Sequence, residues 1–120
     1  MTENDSTNDS AGDATKAKAI YKEGFALFVK GEVAEAIARY RDALEVDATL
    51  AIAWNGLSMA LAKQGDLEAA IEAAERLIEV EPDDPLSHTN LSRILMQKGM
   101  IPEAEDARAK AMGLQMKQGS

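Results

Sequence analysis

Cysteine is absent from this 120-residue chain, which excludes a disulfide framework, a thiolate metal site and a cysteine nucleophile, and suits a reducing compartment. Histidine occurs once, as His88, and without cysteine partners it reads as a structural residue rather than a general base or metal ligand. Aromatic residues make up only 4% of the chain while alanine is plentiful, a balance that favours closely packed helices over a β-sandwich. Cations are outnumbered, 13 Lys and Arg against 21 Asp and Glu, and the net charge of −8 speaks against nucleic acid or an anionic membrane as partner. No apolar run approaches transmembrane length. The opening MTENDSTNDSAGDATK has neither the basic nor the apolar segment of a signal peptide, so the expected location is the cytoplasm and the three glycosylation sequons read as chance matches.

What is present is periodic. The stretch Ala51–Asp84, AIAWNGLSMALAKQGDLEAAIEAAERLIEVEPDD, gives two amphipathic helices joined by a Gly-Asp turn and closed by a proline. Shifted by 34 residues in either direction, it meets a copy of itself. Gly31, Gly65 and Gly99 keep that step, each ending a first helix, and so do Ala36, Ala70 and Ala104, where the two helices of a hairpin should cross most closely. Leu27, Leu61 and Leu95 recur, as do Gly24, Ser58 and Ser92, and Leu44, Ile78 and Met112. The chain is therefore one small all-α domain of three units, 17–50, 51–84 and 85–118, within a folded region over 15–118. Residues 1–14 are polar and acidic and are expected to form a disordered tail. Asp66 is expected to cap the helix beginning near Leu67, and Asp84 with Pro85 to open the next. Met100 and Ile101 make a poorer start for the last helix.

The middle unit resembles the tetratricopeptide repeat, carrying Trp54, Leu57, Leu61, Gly65, Ala70 and Pro82 at that family's positions. The first unit departs at Glu23 and Ala48, the third at His88 and Arg108. These departures fall where a repeat has only one neighbour and is expected to be polar on its free side. The resemblance implies a right-handed α-solenoid of three helix-turn-helix repeats and a non-enzymatic role in binding protein or peptide, with no cofactor. It also implies a concave groove lined by the second, fifth, sixth, ninth, twelfth and thirteenth residues of each unit. These are Lys18, Tyr21, Lys22, Phe25, Phe28 and Val29 in the first, and Ile52, Asn55, Gly56, Met59, Ala62 and Lys63 in the second. In the third they are Leu86, Thr89, Asn90, Arg93, Met96 and Gln97.

Phe25 and Phe28 have two readings, core of an edge repeat or groove. Ile20, Gly24 and Leu27 already supply the inner face of their helix, which favours the groove. Tyr21, Phe25, Phe28, Met59, Leu86 and Met96 would then form an apolar strip suited to an amphipathic helix or extended peptide, with Asn55, Asn90 and Arg93 holding its backbone or a carboxylate. The family's clamp for a terminal carboxylate has no counterpart: the matching positions hold Tyr21, Phe25, Gly56, Leu86 and Asn90. Two alternatives remain open, self-association through Met112, Leu114 and Met116 or through the groove, and a small chaperone for a secreted or aggregation-prone partner. For catalysis no constellation is visible. Glu68, Glu72, Glu75 and Glu79 with Arg76 read as a solvated helix face, and 79–84 lacks the spaced ligands of a calcium loop.

Overall fold

In the computed structural model, which describes the backbone of residues 2–119 and the side chains of residues 12–119, six helices follow one another with short turns. They are α1 (Thr2–Val29), α2 (Val33–Val46), α3 (Ala51–Gln64), α4 (Leu67–Val80), α5 (Pro85–Lys98) and α6 (Ile101–Gly119). Strands are absent among the described residues. Consecutive helices pack as antiparallel neighbours, and beyond these the contacts among the described residues run α1 to α3 and α3 to α5. The odd-numbered helices thus form one layer and the even-numbered helices the other. The tail expected over residues 1–14 lies, for residues 1–11, outside the described side chains. The backbone there is helical from Thr2, and Gly12, Asp13 and Ala14 are exposed, so α1 begins well ahead of Ala17.

The turns within the three hairpins are alike because their glycines are. Gly31, Gly65 and Gly99 take φ of 89°, 95° and 90°, the left-handed region in which a Cβ is strained. In each case the glycine N–H donates to the carbonyl three residues back and the next N–H to the carbonyl five back: Glu32 to Leu27, Asp66 to Leu61, Met100 to Leu95. That pairing closes the helix end and turns the chain into its partner helix. The starts are less uniform. The Asp66 side chain accepts from the Ala69 N–H at 3.4 Å and Asp84 from the Leu86 N–H at 3.0 Å with Pro85 in the first turn, as the sequence predicts.

The core is built chiefly from alanine and short aliphatics. Ala36, Ala70 and Ala104 are fully buried at equivalent crossings, so α1–α2, α3–α4 and α5–α6 approach to backbone-limited distance. Tyr40 is the exception in size. An added Cβ on Gly24 of α1 would lie 2.8 Å from its ring, and one on Gly56 of α3 would lie 2.9 Å away. The ring is thus held between two glycines of adjacent units, and Tyr21 stacks on it with centroids 5.5 Å apart. Burial pushes the Tyr40 hydroxyl up to about 12, with the neighbouring Tyr21 adding to the shift.

The departures from the repeat pattern have physical explanations. At the free edge of α1, Glu23 is exposed and accepts from Arg39 of α2, whereas Leu57 at the same place in α3 is buried against the preceding unit. Arg108 is exposed at the other edge and pairs loosely with Glu105, 3.9 Å away. Trp54 and His88, 34 residues apart, make the same bond: the Trp54 indole N–H donates to the Ala48 carbonyl at 2.7 Å, and His88 Nε2 bonds the Pro82 carbonyl at 2.8 Å. A carbonyl only accepts, so His88 carries its proton on Nε2. It therefore takes over the tryptophan's role of tying a helix to the linker before it.

Candidate concave binding face

The layer formed by α1, α3 and α5 leaves a row of large apolar side chains in solvent. Phe25 is 50% exposed, Met59 41%, Leu86 72% and Met96 43%, with Val29 and Ile52 exposed beside them. Each lies on the side of its helix opposite the packed alanines and leucines, so helical periodicity alone puts them on the same face. The hairpin turns then set the odd-numbered helices side by side.

Of the nine residues singled out from the sequence, the structure gathers four in one cleft of about 290 Å³: Phe28, Met59, Asn90 and Arg93, together with Ala62, Lys63, Ile94 and Gln97. Asn55 and Leu86 line a second hollow nearer the α4–α5 linker, beside Ile52 and Ser87. Met96 opens instead toward α6, sharing a hollow with Arg93, Ala111 and Met112. Tyr21 and Phe25 stand together at the α1 end, their rings stacked with centroids 6.2 Å apart.

Besides Met96, three of the nine are placed differently from the simple strip. Asn90 is 6% exposed and its amide donates to Ser58 Oγ at 2.7 Å, while Ser58 in turn donates to the Asn55 carbonyl. An amide buried between units is committed to that bond, since leaving it unpaired is costly, so Asn90 is a floor residue joining α5 to α3. Tyr21 is half-buried on Tyr40, and burial raises its hydroxyl above the usual value; it is part wall, part support for Phe25. Phe28 is likewise half-buried and packs on the core, so both readings of the phenylalanines apply, one to each: Phe28 leans on the core and Phe25 faces outward. Lys63 and Gln97 complete the central cleft. Gln97 crosses to the Ala62 carbonyl at 3.3 Å and thereby links the last turns of α3 and α5. Their register positions in the sequence place them on this face, but an apolar strip has no place for them.

The face offers contact area and a few hydrogen-bonding groups. Among the described residues no helix is long and apolar enough to cross a membrane, and no group of three or more His, Asp or Glu side chains is placed to hold a metal ion.

The comparisons with known proteins agree with this architecture. A pentatricopeptide repeat-containing protein of Arabidopsis thaliana is 45% identical over 58 residues, which are 48% of this chain and 7% of that protein. The crystal structure of MamA superposes with a TM-score of 0.82 at 27% identity, over 86% of this chain and 60% of MamA. The first repeat domain of Spaghetti (RPAP3), solved with an HSP90 peptide SRMEEVD, superposes with a TM-score of 0.80 at 15% identity, over 84% of this chain and 80% of that one, a likeness of fold. This chain thus spans less than two thirds of either protein, 7% of the Arabidopsis one and 60% of MamA. The family model described as tetratricopeptide repeat matches residues 21–85 and 58–113, most of the sequence, and the chain belongs to the tetratricopeptide repeat family.

Proposed function

We propose that this chain is a non-enzymatic module that binds a segment of another protein in the concave face of α1, α3 and α5, chiefly by apolar contact. The observation that carries this reading is the row of Phe25, Met59 and Leu86 left between 41% and 72% exposed on one side of a close-packed array. Large apolar side chains gathered on one face mark an interaction surface more often than a solvated one. The surface is held by three hairpins of the same geometry, so binding asks for little backbone rearrangement. A chaperone for an aggregation-prone partner would use the same face, differing in what the partner does when unbound.

Self-association is the competing reading, favoured by Met112, half-exposed beside the hollow between α5 and α6. Against it stand Glu23 and Arg108, charged and exposed on the two free edges where a stacked copy would have to bury them. A photo-crosslinking residue at Met59, compared with one at Glu72 on α4, tests the proposal in the presence of total cell protein. Adducts formed from position 59 and lost with Phe25→Glu are expected. Equal adducts from both positions would overturn the groove, and self-adducts suppressed by Leu114→Glu would put self-association in its place.

A further inference from the structure

The charges on this molecule are not mixed evenly. Of its 13 cations, four stand at groove positions of the odd-numbered helices, Lys18, Lys22, Lys63 and Arg93, and none of its 21 acidic residues does. All four are exposed, and none makes an ion pair among the described residues. Elsewhere the cations are divided: Lys16, Lys30, Arg41, Lys110 and Lys117 also make no ion pair among the described residues, but they share their surfaces with acidic residues, as the groove positions do not. Arg39, Arg76, Lys98 and Arg108 each have a carboxylate within 4 Å. Glu81 and Asp84, which line the hollow beside Ile52 and Leu86, belong to the α4–α5 linker, and the Asp84 carboxylate is engaged by the Leu86 N–H.

Like charges collected on one face repel one another, and a chain with a large surplus of carboxylates had ample material to neutralise them. Resting on the proposed groove reading, we infer that its occupant is an acidic amphipathic segment. Its apolar side chains lie on Phe25, Met59 and Leu86, and its Asp and Glu side chains meet Lys22, Lys63 and Arg93. The net charge of −8 does not oppose this. At physiological ionic strength repulsion is screened over roughly 8 Å, whereas the groove cations act at contact. Recognition here is of side-chain carboxylates along the segment. A terminal carboxylate has no special place, because Tyr21, Leu86 and Asn90 occupy positions where a clamp for it would need cations.

The test uses the whole chain and three fluorescein-labelled peptides of about 18 residues, with leucines at helical spacing and Glu, Gln or Lys at every polar position. Fluorescence anisotropy should show the Glu peptide binding about tenfold tighter than the Gln peptide, and the Lys peptide weakest. Amidating the Glu peptide's C-terminus should change nothing. Lys22→Glu with Lys63→Glu, its helicity verified by circular dichroism, should reverse the order of the three. Equal binding of the Glu and Gln peptides to the unaltered chain would overturn the charge inference and leave the apolar groove standing. Undiminished binding of the Glu peptide to Phe25→Glu/Met59→Glu would overturn the groove itself, and no binding by any peptide would overturn both. Tighter binding of a single-stranded oligonucleotide than of the Glu peptide would assign the cations to nucleic acid. A dimer dissolved by Lys63→Glu would assign them to a second copy, and either outcome overturns the inference.

Discussion

Tyr40 shows how far one side chain can set the distance between two units. Its ring lies against Gly24 and Gly56 at separations that leave no room for a methyl group. Gly56→Ala should therefore cost about 1–3 kcal/mol through overpacking, read as a lower urea midpoint with unchanged slope. Replacing Tyr40 by Leu in the same chain should recover part of that loss, since the two sites share one contact. The raised Tyr40 hydroxyl gives a second test. Its folded-state value of about 12 lies above the ordinary 10, so the folded chain keeps a proton that the unfolded chain gives up. Stability from this group is complete below pH 10 and should fall by about 1.4 kcal/mol per pH unit between 10 and 12. Unfolding followed at pH 9 to 12 should show that loss, and Tyr40→Phe should remove it. His88 makes a contrasting case, where the shared feature is a donor rather than a shape. His88→Phe should destabilise by about 1 kcal/mol and His88→Trp should not, if the bond to the Pro82 carbonyl is what the position supplies.

Among the helices, the ends differ more than the middles. The α4 and α5 starts have carboxylate caps, while Met100, one repeat beyond Asp66, offers only its carbonyl, which accepts from the Ala104 N–H at 2.9 Å. Met100→Asp should supply the missing side-chain acceptor and a favourable charge at the helix start. The expected gain is about 0.5–1 kcal/mol, seen as a higher thermal midpoint. Asp84→Ala should lose a similar amount at α5. Each helix also carries one face for packing and one for solvent, and on α4 the solvent face is the row Glu68, Glu72, Glu75 and Glu79. There Arg76 pairs with Glu79 at 3.2 Å and lies 5.7 Å from the Trp54 ring centroid. That guanidinium ties α4 to α3 on the side away from the groove.

For the molecule as a whole, the array is closed at both ends by charge. Glu23 stands where the middle unit has the buried Leu57, and Arg108 stands where the first unit has the buried Tyr40. A second copy stacked end to end would have to bury both together with their partners Arg39 and Glu105, and the desolvation of such pairs opposes it. Restoring the repeat pattern with Glu23→Leu and Arg108→Tyr together should convert the chain to a form whose mass rises with concentration, measured by light scattering. Constant mass in the double variant would mean that something other than these charges keeps the ends apart. Capped ends and an open apolar face with unpaired cations are the features on which the proposed use of the concave side rests.

The left-handed glycines and the aspartate caps were legible in the chain, because each depends on residues no more than five apart along it; the length of α1, helical from Thr2, was not. The three-unit register was legible for a related reason: the 34-residue step repeats the same local solution. Where a side chain goes once two units meet is another matter. Asn90, Thr89 and Arg93 belong to one helix and look interchangeable as polar groove residues, yet Asn90 turns inward because Ser58 of the preceding unit stands opposite it. Tyr21 and Phe25 share a helical face, and Tyr21 alone is drawn down by the Tyr40 ring. The gathering of Lys63, Arg93 and Phe28 in one cleft likewise depends on α1, α3 and α5 lying side by side. Those placements rest on contacts between residues some 20 to 70 positions apart, whose energies no local pattern records.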